Sequence, residues 1–488
     1  MLPEEDLIKQ RREKLNWFKS HNINPYAHKF NKKDNCKALL DKFKKLKKNA
    51  RTKTNISIAG RIIALRPMGK IAFGHLQDFT GKIQFYAKEE TAKNYEITKK
   101  LDIGDIIGIS GTIFTTKTGE ITIDVKEIYL LTKSLKPLPD KWSGLKDQEI
   151  RYRQRYLDLI VNPEVKEIFL KRSQVIQSIR EYLIKKGYVE VETPILQPIY
   201  GGTSAKPFKS HLNALNMAVY MRISNEMYLK RLITGGYEKI FEFSPDFRNE
   251  GIDKTHNPEF LQVETMNAYA NYEDNMKVAE EMLAFVAKKV TGSYKVKYQN
   301  TLLNFKPPWK KLTMLQAIKE YTKYNLNNAS LEELREIAKK FKIETTHEMK
   351  WGDIINLIFE EKVEPNLIQP TLIYDYPADV SPLAKKKESD KRFAERFEPF
   401  INAWELGNVY SELNDPEELR KNWEEQEKLR KKGDEETQPM DNDFIHALEY
   451  GMPPVSGIGI GIDRLTMLLT NATSIREVIF FPFMKPEN

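Results

Sequence analysis

Cysteine is nearly missing: one residue, Cys36, in 488. A lone thiol has no intramolecular disulfide partner and cannot build a cysteine metal cluster. It reads as an incidental surface thiol in a protein of a reducing, cytoplasmic setting. Long hydrophobic runs are also missing, so no segment offers the roughly 20 apolar residues of a membrane span. The opening MLPEEDLIKQRREKLNWF begins acidic and has no apolar core, so secretion is not expected. There is no Gly-rich Walker-type phosphate loop and no GxSxG nucleophile elbow. Internal repeats and low-complexity tracts are absent as well.

Negative charge is what the first tenth of the chain has little of. Residues 1–50 hold 14 Lys and Arg against 6 Asp and Glu, a surplus of eight in a chain of net charge +9. Clustered cations of this kind point to a polyanionic partner.

Hydrophobic spacing divides the chain. Residues 4–20 read as an amphipathic helix on Leu7, Leu15 and Phe18, and residues 34–50 as a second on Leu39, Leu40, Phe43 and Leu46. From Asn55 five short β-branched runs follow, ISIAGRIIAL, IAFGHLQDF, KIQFYAK, DIIGISGTIF and EITIDVKEIYLL. Five such strands predict a small barrel, an OB-fold by first choice. The Pro- and Lys-rich TKSLKPLPDKWSGLKDQEI reads as a linker. The domains expected are thus a basic helical extension over 1–54, a barrel over 55–133, a linker over 134–152 and a larger domain over 153–488. In the last, residues 163–187 predict a long helix between Pro163 and Gly187, running into a strand YVEVETPIL, and the charged LAKKKESDKRF reads as mobile.

The chemistry concentrates in residues 241–269, FEFSPDFRNEGIDKTHNPEFLQVETMNAY. Two β-rich runs flank a polar tip, which predicts a hairpin. Alternation sets Arg248 and Glu250 on one face of the outgoing strand. A guanidinium suits phosphate, a carboxylate suits an exocyclic amine, and Phe260 offers a face to an aromatic ring. A second stretch, SGIGIGIDRLTMLL, has glycines at alternate positions before Asp463 and Arg464, so a flat ligand could approach the backbone. A third, FEPFINAWELGNVYSELNDP, spaces Glu398, Glu405 and Glu412 by seven residues. An odd spacing alternates faces along one strand, so these three converge only if a loop intervenes.

The string FRNEGxxxxHNPEF resembles motif 2 of the class II aminoacyl-tRNA synthetases. SGIGIGIDRLTMLL resembles their motif 3, and the helix, strand and Pro194 of residues 163–196 their motif 1. Within the class the chain is similar to the lysyl-tRNA synthetases of the bacterial and eukaryotic type over nearly its full length. The fold this implies is α+β: an N-terminal OB-fold β-barrel that reads the anticodon, then a class II catalytic domain of antiparallel sheet flanked by helices. The activity implied is ATP-dependent lysylation of tRNA(Lys) through a lysyl-adenylate, by a homodimer, with Mg2+ as cofactor and no membrane partner. An aspartyl- or asparaginyl-type enzyme shares the architecture. A non-catalytic RNA-binding protein on this scaffold would be expected to lose Arg248, Arg464 or the acidic cluster.

The resemblance also implies roles. Arg248 and Arg464 are the catalytic arginines. ATP falls to Arg248, Glu250, His256, Asn257, Phe260, Glu405, Gly461 and Arg464, and the metal to Glu398 and Glu405. Lysine falls to Glu226, Arg248, Glu264, Asn408, Tyr410 and Glu412, with Glu412 on the ε-ammonium and Glu226 at the α-amino end. The anticodon falls to Phe73 and Gln84, with His75 and Glu120 beside them. Phe85 reads as barrel core. Two pocket positions depart from the family pattern: Met266 stands where a tyrosine is usual, and Tyr410 where a phenylalanine is usual. The Tyr410 hydroxyl is therefore expected to replace a lost hydrogen bond to the ammonium.

Overall fold

The computed structural model describes residues 3–139, 145–431 and 439–487, so residues 140–144 of the expected linker lie outside the described residues. The chain divides into two units, Met1–Lys146 and Asp147–Asn488.

In the first unit, alternate apolar residues turn inward and close a barrel. Its strands are β1 (Ile56–Met68), β2 (Ile71–Asp78), β3 (Gly81–Lys88), β4 (Ile106–Thr115) and β5 (Ile121–Thr132), ordered β1-β2-β3-β5-β4 around the closed sheet. This is the expected OB-fold. Phe85 is fully buried, and its ring lies 2.3 Å from where a Cβ on Gly74 would stand, so the glycine makes room for the core. Helix α1 (Glu4–Ser20) forms as its periodicity predicts and delivers Phe18 to the barrel core. The second helix is shorter than expected. Helix α2 (Cys36–Phe43) starts on an Asn35 cap, whose side chain accepts from Ala38 N, and stops at Phe43. Beyond it the backbone bonds to a barrel strand instead, through Thr115 N to Ala50 O at 3.0 Å and Thr52 N to Ile113 O at 2.8 Å. Cys36 corrects the surface reading. It is fully buried against the barrel, and burial, reinforced by Asp78, pushes its thiol up to about 12.

The second unit is built on one sheet. Its long path runs β9-β10-β11-β12-β13-β8-β7-β6, with β6 (Val189–Glu190), β7 (Lys239–Phe247), β8 (Glu259–Ala268), β9 (Lys310–Thr313), β10 (Thr371–Pro377), β11 (Phe393–Ile401), β12 (Gly407–Ser411) and β13 (Val455–Gly461). The edge pairs β9·β10 and β6·β7 are parallel and the others antiparallel. Period-two alternation gives the sheet two chemistries. Phe241, Val263, Phe397, Val409, Ile458 and Ile460 pack with helices α3 (Glu164–Lys185), α5 (Tyr272–Thr291) and α6 (Ile462–Thr470) in one apolar core. Their neighbours Glu242, Glu264, Glu398, Asn408 and Tyr410, with the alternate glycines of β13, therefore occupy the other face. On the polar side, α4 (Glu226–Thr234) belongs to a second apolar cluster with Met266 and Trp423.

Helix α3 keeps its expected bounds, but YVEVETPIL is not one strand. Only Val189–Glu190 and Leu196–Gln197 pair, because between them Thr193 gives its N–H and hydroxyl to the Glu242 carboxylate, at 3.2 and 2.7 Å. Residues 383–393 are held rather than loose. Lys385 N bonds Ser411 O at 2.8 Å, and Lys387 Nζ meets Asp375 at 2.6 Å.

Candidate functional site

Register assembles the pocket. Across β8, β13 and β12, Glu264 faces Gly459, which faces Asn408, and Met266 faces Gly457, which faces Tyr410. A strand without side chains thus runs between two strands that carry them, leaving a trough. At Gly459 a Cβ would meet nothing nearer than 3.7 Å, so protein packing does not demand the empty space there. Gly457 is tighter: a Cβ would stand 2.6 Å from a Glu412 oxygen and 3.0 Å from the Met266 sulfur. The trough opens into a cavity of about 320 Å³. Every expected ATP and lysine residue lines it: Arg248, Glu250, His256, Asn257, Phe260, Glu405, Gly461 and Arg464, then Glu226, Glu264, Asn408, Tyr410 and Glu412. Of the expected catalytic-domain residues, Glu398 alone is absent from the lining.

One end of the cavity is cationic. Strand β7 ends at Phe247, one residue short of Arg248, so Arg248 and Glu250 lie on the hairpin tip rather than on a strand face. Arg248 N still bonds Pro258 O at 2.9 Å in the register of the ladder, but Pro258 has no N–H to return, and Asn249 N turns away to Lys206 O at 2.7 Å. The Arg248 guanidinium sits 5.0 Å over the Phe260 ring, and its buried Nε has no hydrogen-bond partner among the described residues. A buried, unsatisfied donor on a fixed cation suits an anion. Arg464 donates to Glu405 O at 2.7 Å and to His256 Nε2 at 3.0 Å. Arginine only donates, so Nε2 accepts and the His256 Nδ1–H points to Asp253 Oδ2, 2.8 Å away. Burial works against the Asp253 charge, but the Thr255 and His256 donors hold its carboxyl down to about 2. Asn257 gives its amide N–H to Glu259 O at 2.6 Å, leaving its buried carbonyl oxygen without a partner among the described residues.

The three spaced glutamates are parted by a turn, as their odd spacing required. Asn402 and Ala403 take positive φ, reversing the chain between β11 and the two-residue Trp404–Glu405 pairing. Glu398 is held by Arg396 at 2.5 Å and by the Tyr376 hydroxyl at 2.7 Å. Burial, with Glu398 next in effect, lifts the Glu405 carboxyl to about 7. Glu364 is lifted likewise to about 7, by burial and then by Glu398 and Glu360.

The other end of the cavity is acidic and dry. Glu412 is 1 % exposed, and burial, with Glu226 adding to it against the pull of Lys230, raises it to about 8. Burial, and then Asp246 and Glu226, raise Glu264 well above the carboxylate range, and Gln262 donates to it at 2.5 Å. The Tyr410 hydroxyl donates to Glu226, not to a vacant position. Arg396 fixes the Asn408 carbonyl at 3.0 Å. The sequence reading missed Lys230, Arg396 and Gln262. Signals existed: Lys230 lies four residues after Glu226 on a helix, and Arg396 and Gln262 lie two residues from Glu398 and Glu264 on strands.

On the barrel, alternation turns Phe73, His75, Gln84 and Tyr86 away from the core residues beside them. His75 Nε2 and Gln84 Nε2 both reach Glu120, at 3.0 and 2.9 Å, so these expected residues come together. Phe73 lies 4.8 Å from the Tyr86 ring, and Tyr86 6.0 Å from Phe114, giving an aromatic row of which only Phe73 was anticipated.

Comparison with known proteins adds two family matches. The model of the tRNA synthetases class II (D, K and N) matches residues 147–485, and that of the OB-fold nucleic acid binding domain matches residues 56–131. A protein named lysine–tRNA ligase from Thermoanaerobacter pseudethanolicus is 52% identical over 99% of this chain and 97% of its own. Proteins of the same name from Carboxydothermus hydrogenoformans and Halalkalibacterium halodurans are 49% and 48% identical. They cover 99% and 98% of this chain, and 99% and 97% of their own.

Proposed function

The chain belongs to the class II tRNA synthetases of the D, K and N group, and from that premise we propose that it is a lysine–tRNA ligase. It activates lysine with ATP to lysyl-adenylate and passes the lysyl group to the 3′ end of tRNA(Lys), with AMP and pyrophosphate as the other products. One observation carries the choice of amino acid: a buried floor where Glu226 and Glu412 share one internal ammonium, that of Lys230, with a third buried carboxyl, Glu264, lining the same cavity. Ionised, such a floor carries a surplus of negative charge that a lysine ε-ammonium satisfies. An aspartate side chain would meet repulsion there, and an asparagine amide would leave the carboxylates unpaired.

The chemistry follows from the two ends of the cavity. The lysine carboxylate attacks the α-phosphate, that bond to pyrophosphate breaks, and no covalent enzyme intermediate is needed. Arg248 neutralises charge at the α-phosphate and the substrate carboxylate, and Phe260 stacks on adenine, whose amine Glu250 accepts. Arg464, His256 and Asn257 take the triphosphate side, and Gly461 lets the nucleotide approach the strand. Holding the reactants in line and stabilising the developing charge supply the acceleration. Glu412 takes the ε-ammonium, with Asn408 and Glu264 beside it, and Glu226 the α-amino end. A hydroxyl donates once and accepts twice, so Tyr410 can donate to Glu226 and still accept from the ammonium.

Glu405 and Glu398 would hold a divalent cation: Glu405 lines the cavity with its carboxylate partly exposed, Glu398 sits behind it on Arg396 and Tyr376, and a cation would offset the repulsion that raises Glu405. Magnesium there would add charge neutralisation at the triphosphate. The barrel face of Phe73, His75, Gln84 and Glu120 reads the anticodon by stacking and edge hydrogen bonds, and the basic first 50 residues add phosphate contacts. Leu170, Ile184, Val189 and Leu196 expose apolar surface along α3 and after it, which a homodimer would cover. No helix among the described residues is long and apolar enough to cross a membrane. A cytoplasmic setting, where ATP and tRNA are at hand, completes this reading.

Amino-acid-dependent ATP–pyrophosphate exchange, with each of the twenty amino acids tested singly, is the direct test. Exchange with lysine alone is the expected result. Exchange with aspartate, asparagine or a broad set would overturn the amino-acid assignment, and no exchange at all would overturn the adenylate chemistry.

A further inference from the structure

Lys230 is a charged group that the reaction as described leaves idle. Its side chain is 2 % exposed and does not line the cavity. Its ammonium lies 2.5 Å from Glu226 Oε1 and 2.5 Å from Glu412 Oε2, and 5.7 Å from the centre of the Tyr410 ring. The two carboxylates come from distant elements, Glu226 from the first turn of α4 and Glu412 from just beyond β12. Both line the cavity, so their outer sides meet the ligand while Lys230 holds them from behind. The Tyr410 hydroxyl bonds the second oxygen of Glu226.

We propose that Lys230 is a positioning residue for amino-acid selection: its ammonium bridges Glu226 and Glu412, fixes their orientation and, once lysine binding has ionised both, leaves the pair one net negative charge for the incoming ammonium. The pocket is then complementary to a side chain carrying one positive charge. Two bare carboxylates side by side in a dry site repel, and relieve the repulsion by binding a proton or turning apart. Either response removes the acceptor geometry that a substrate ammonium needs. A buried pair that merely fastens α4 to the sheet would share these distances, but it would not single out lysine binding.

The proposal rests on the lysine reading, and the test separates the two. Full-length wild-type protein, Lys230→Met and Lys230→Arg are compared in ATP–pyrophosphate exchange and thermal unfolding, each with lysine or ATP varied. Methionine keeps volume and removes charge. The expected result for Lys230→Met is a lysine KM raised at least about tenfold, the loss of roughly 1.4 kcal/mol or more, with the ATP KM within about twofold of wild type. Lysine would no longer raise its unfolding temperature, while ATP still would. Lys230→Arg, which keeps the charge, should restore most of the lysine affinity. An unchanged lysine KM in folded Lys230→Met would overturn the proposal. So would lysine and ATP KM rising together, or loss of the folded state in both variants. Wild type inert with lysine would instead sink the reading beneath it.

Discussion

On the barrel, the Glu120 side chain is 46 % exposed and already bonded to His75 and Gln84. In the catalytic sheet, Glu412 is 1 % exposed and faces a buried ammonium. Both are carboxylates offered to a ligand, but water screens the first and burial displaces the second. If the barrel face reads bases by their edges, as we propose, it can exchange partners at little electrostatic cost. The catalytic floor is charged in a medium that opposes charge, so its affinity is steep and its composition strict.

The sharpest way to break this contrast is at the cationic end of the cavity. Arg248→Ala should lower pyrophosphate exchange by about a thousandfold, the scale of a lost transition-state donor, while tRNA binding in a filter assay stays unchanged. Glu412→Gln should come next. Removing one partner of a buried charge pair costs about 3–5 kcal/mol, so the lysine KM should rise a hundredfold or more with the ATP KM unmoved. Phe73→Ala tests the other region: losing a stacking face worth about 1–3 kcal/mol should raise the tRNA KM in aminoacylation by roughly tenfold and leave exchange intact. Tyr410→Phe should have a smaller effect, about three- to tenfold on lysine KM, the scale of one ordinary net hydrogen bond of about 0.5–1.5 kcal/mol.

The smallest effect sharpens the comparison through pH. Burial lifts Glu412 from its ordinary 4.5 to about 8. Between those values the folded state holds a proton that the unfolded chain has released, so stability contributed at this site falls as pH rises across that window. A lysine ammonium favours the ionised form, so lysine binding near pH 6 should release close to one proton, and the release should fade through pH 8. Calorimetry in buffers of different ionisation enthalpy reads this directly. Binding heats independent of buffer at every pH would show that Glu412 is already ionised.

Much of this was legible in the sequence, for reasons that differ by element. The barrel followed from five β-branched runs, because burial of one strand face enforces period two. Arg248, Phe260, Arg464 and the glycine trough were legible because the whole strings around them resemble class II motifs; an Arg-x-Glu or alternate glycines alone would suit many surfaces. The residues behind them were not. Lys230 and Arg396 act by contact with glutamates brought from other strands, and only register reveals which carboxylates meet. Cys36 misled because its neighbours in sequence, Asn35 and Lys37, are polar, while in space it bonds Leu76 O and belongs to the barrel core. The helix expected over 34–50 ends at Phe43, and by Ala50 the backbone is paired with a barrel strand instead.

Gly457 carries a final consequence. Its missing side chain meters the depth of the trough, since one added methyl would stand 2.6 Å from Glu412 and 3.0 Å from Met266. The vacancy is clearance for the acid and the thioether beside it, so a methyl would jam those two before it touched a ligand. Gly457→Ala should therefore act as a wedge, turning the Glu412 carboxylate out of its place and leaving the barrel untouched.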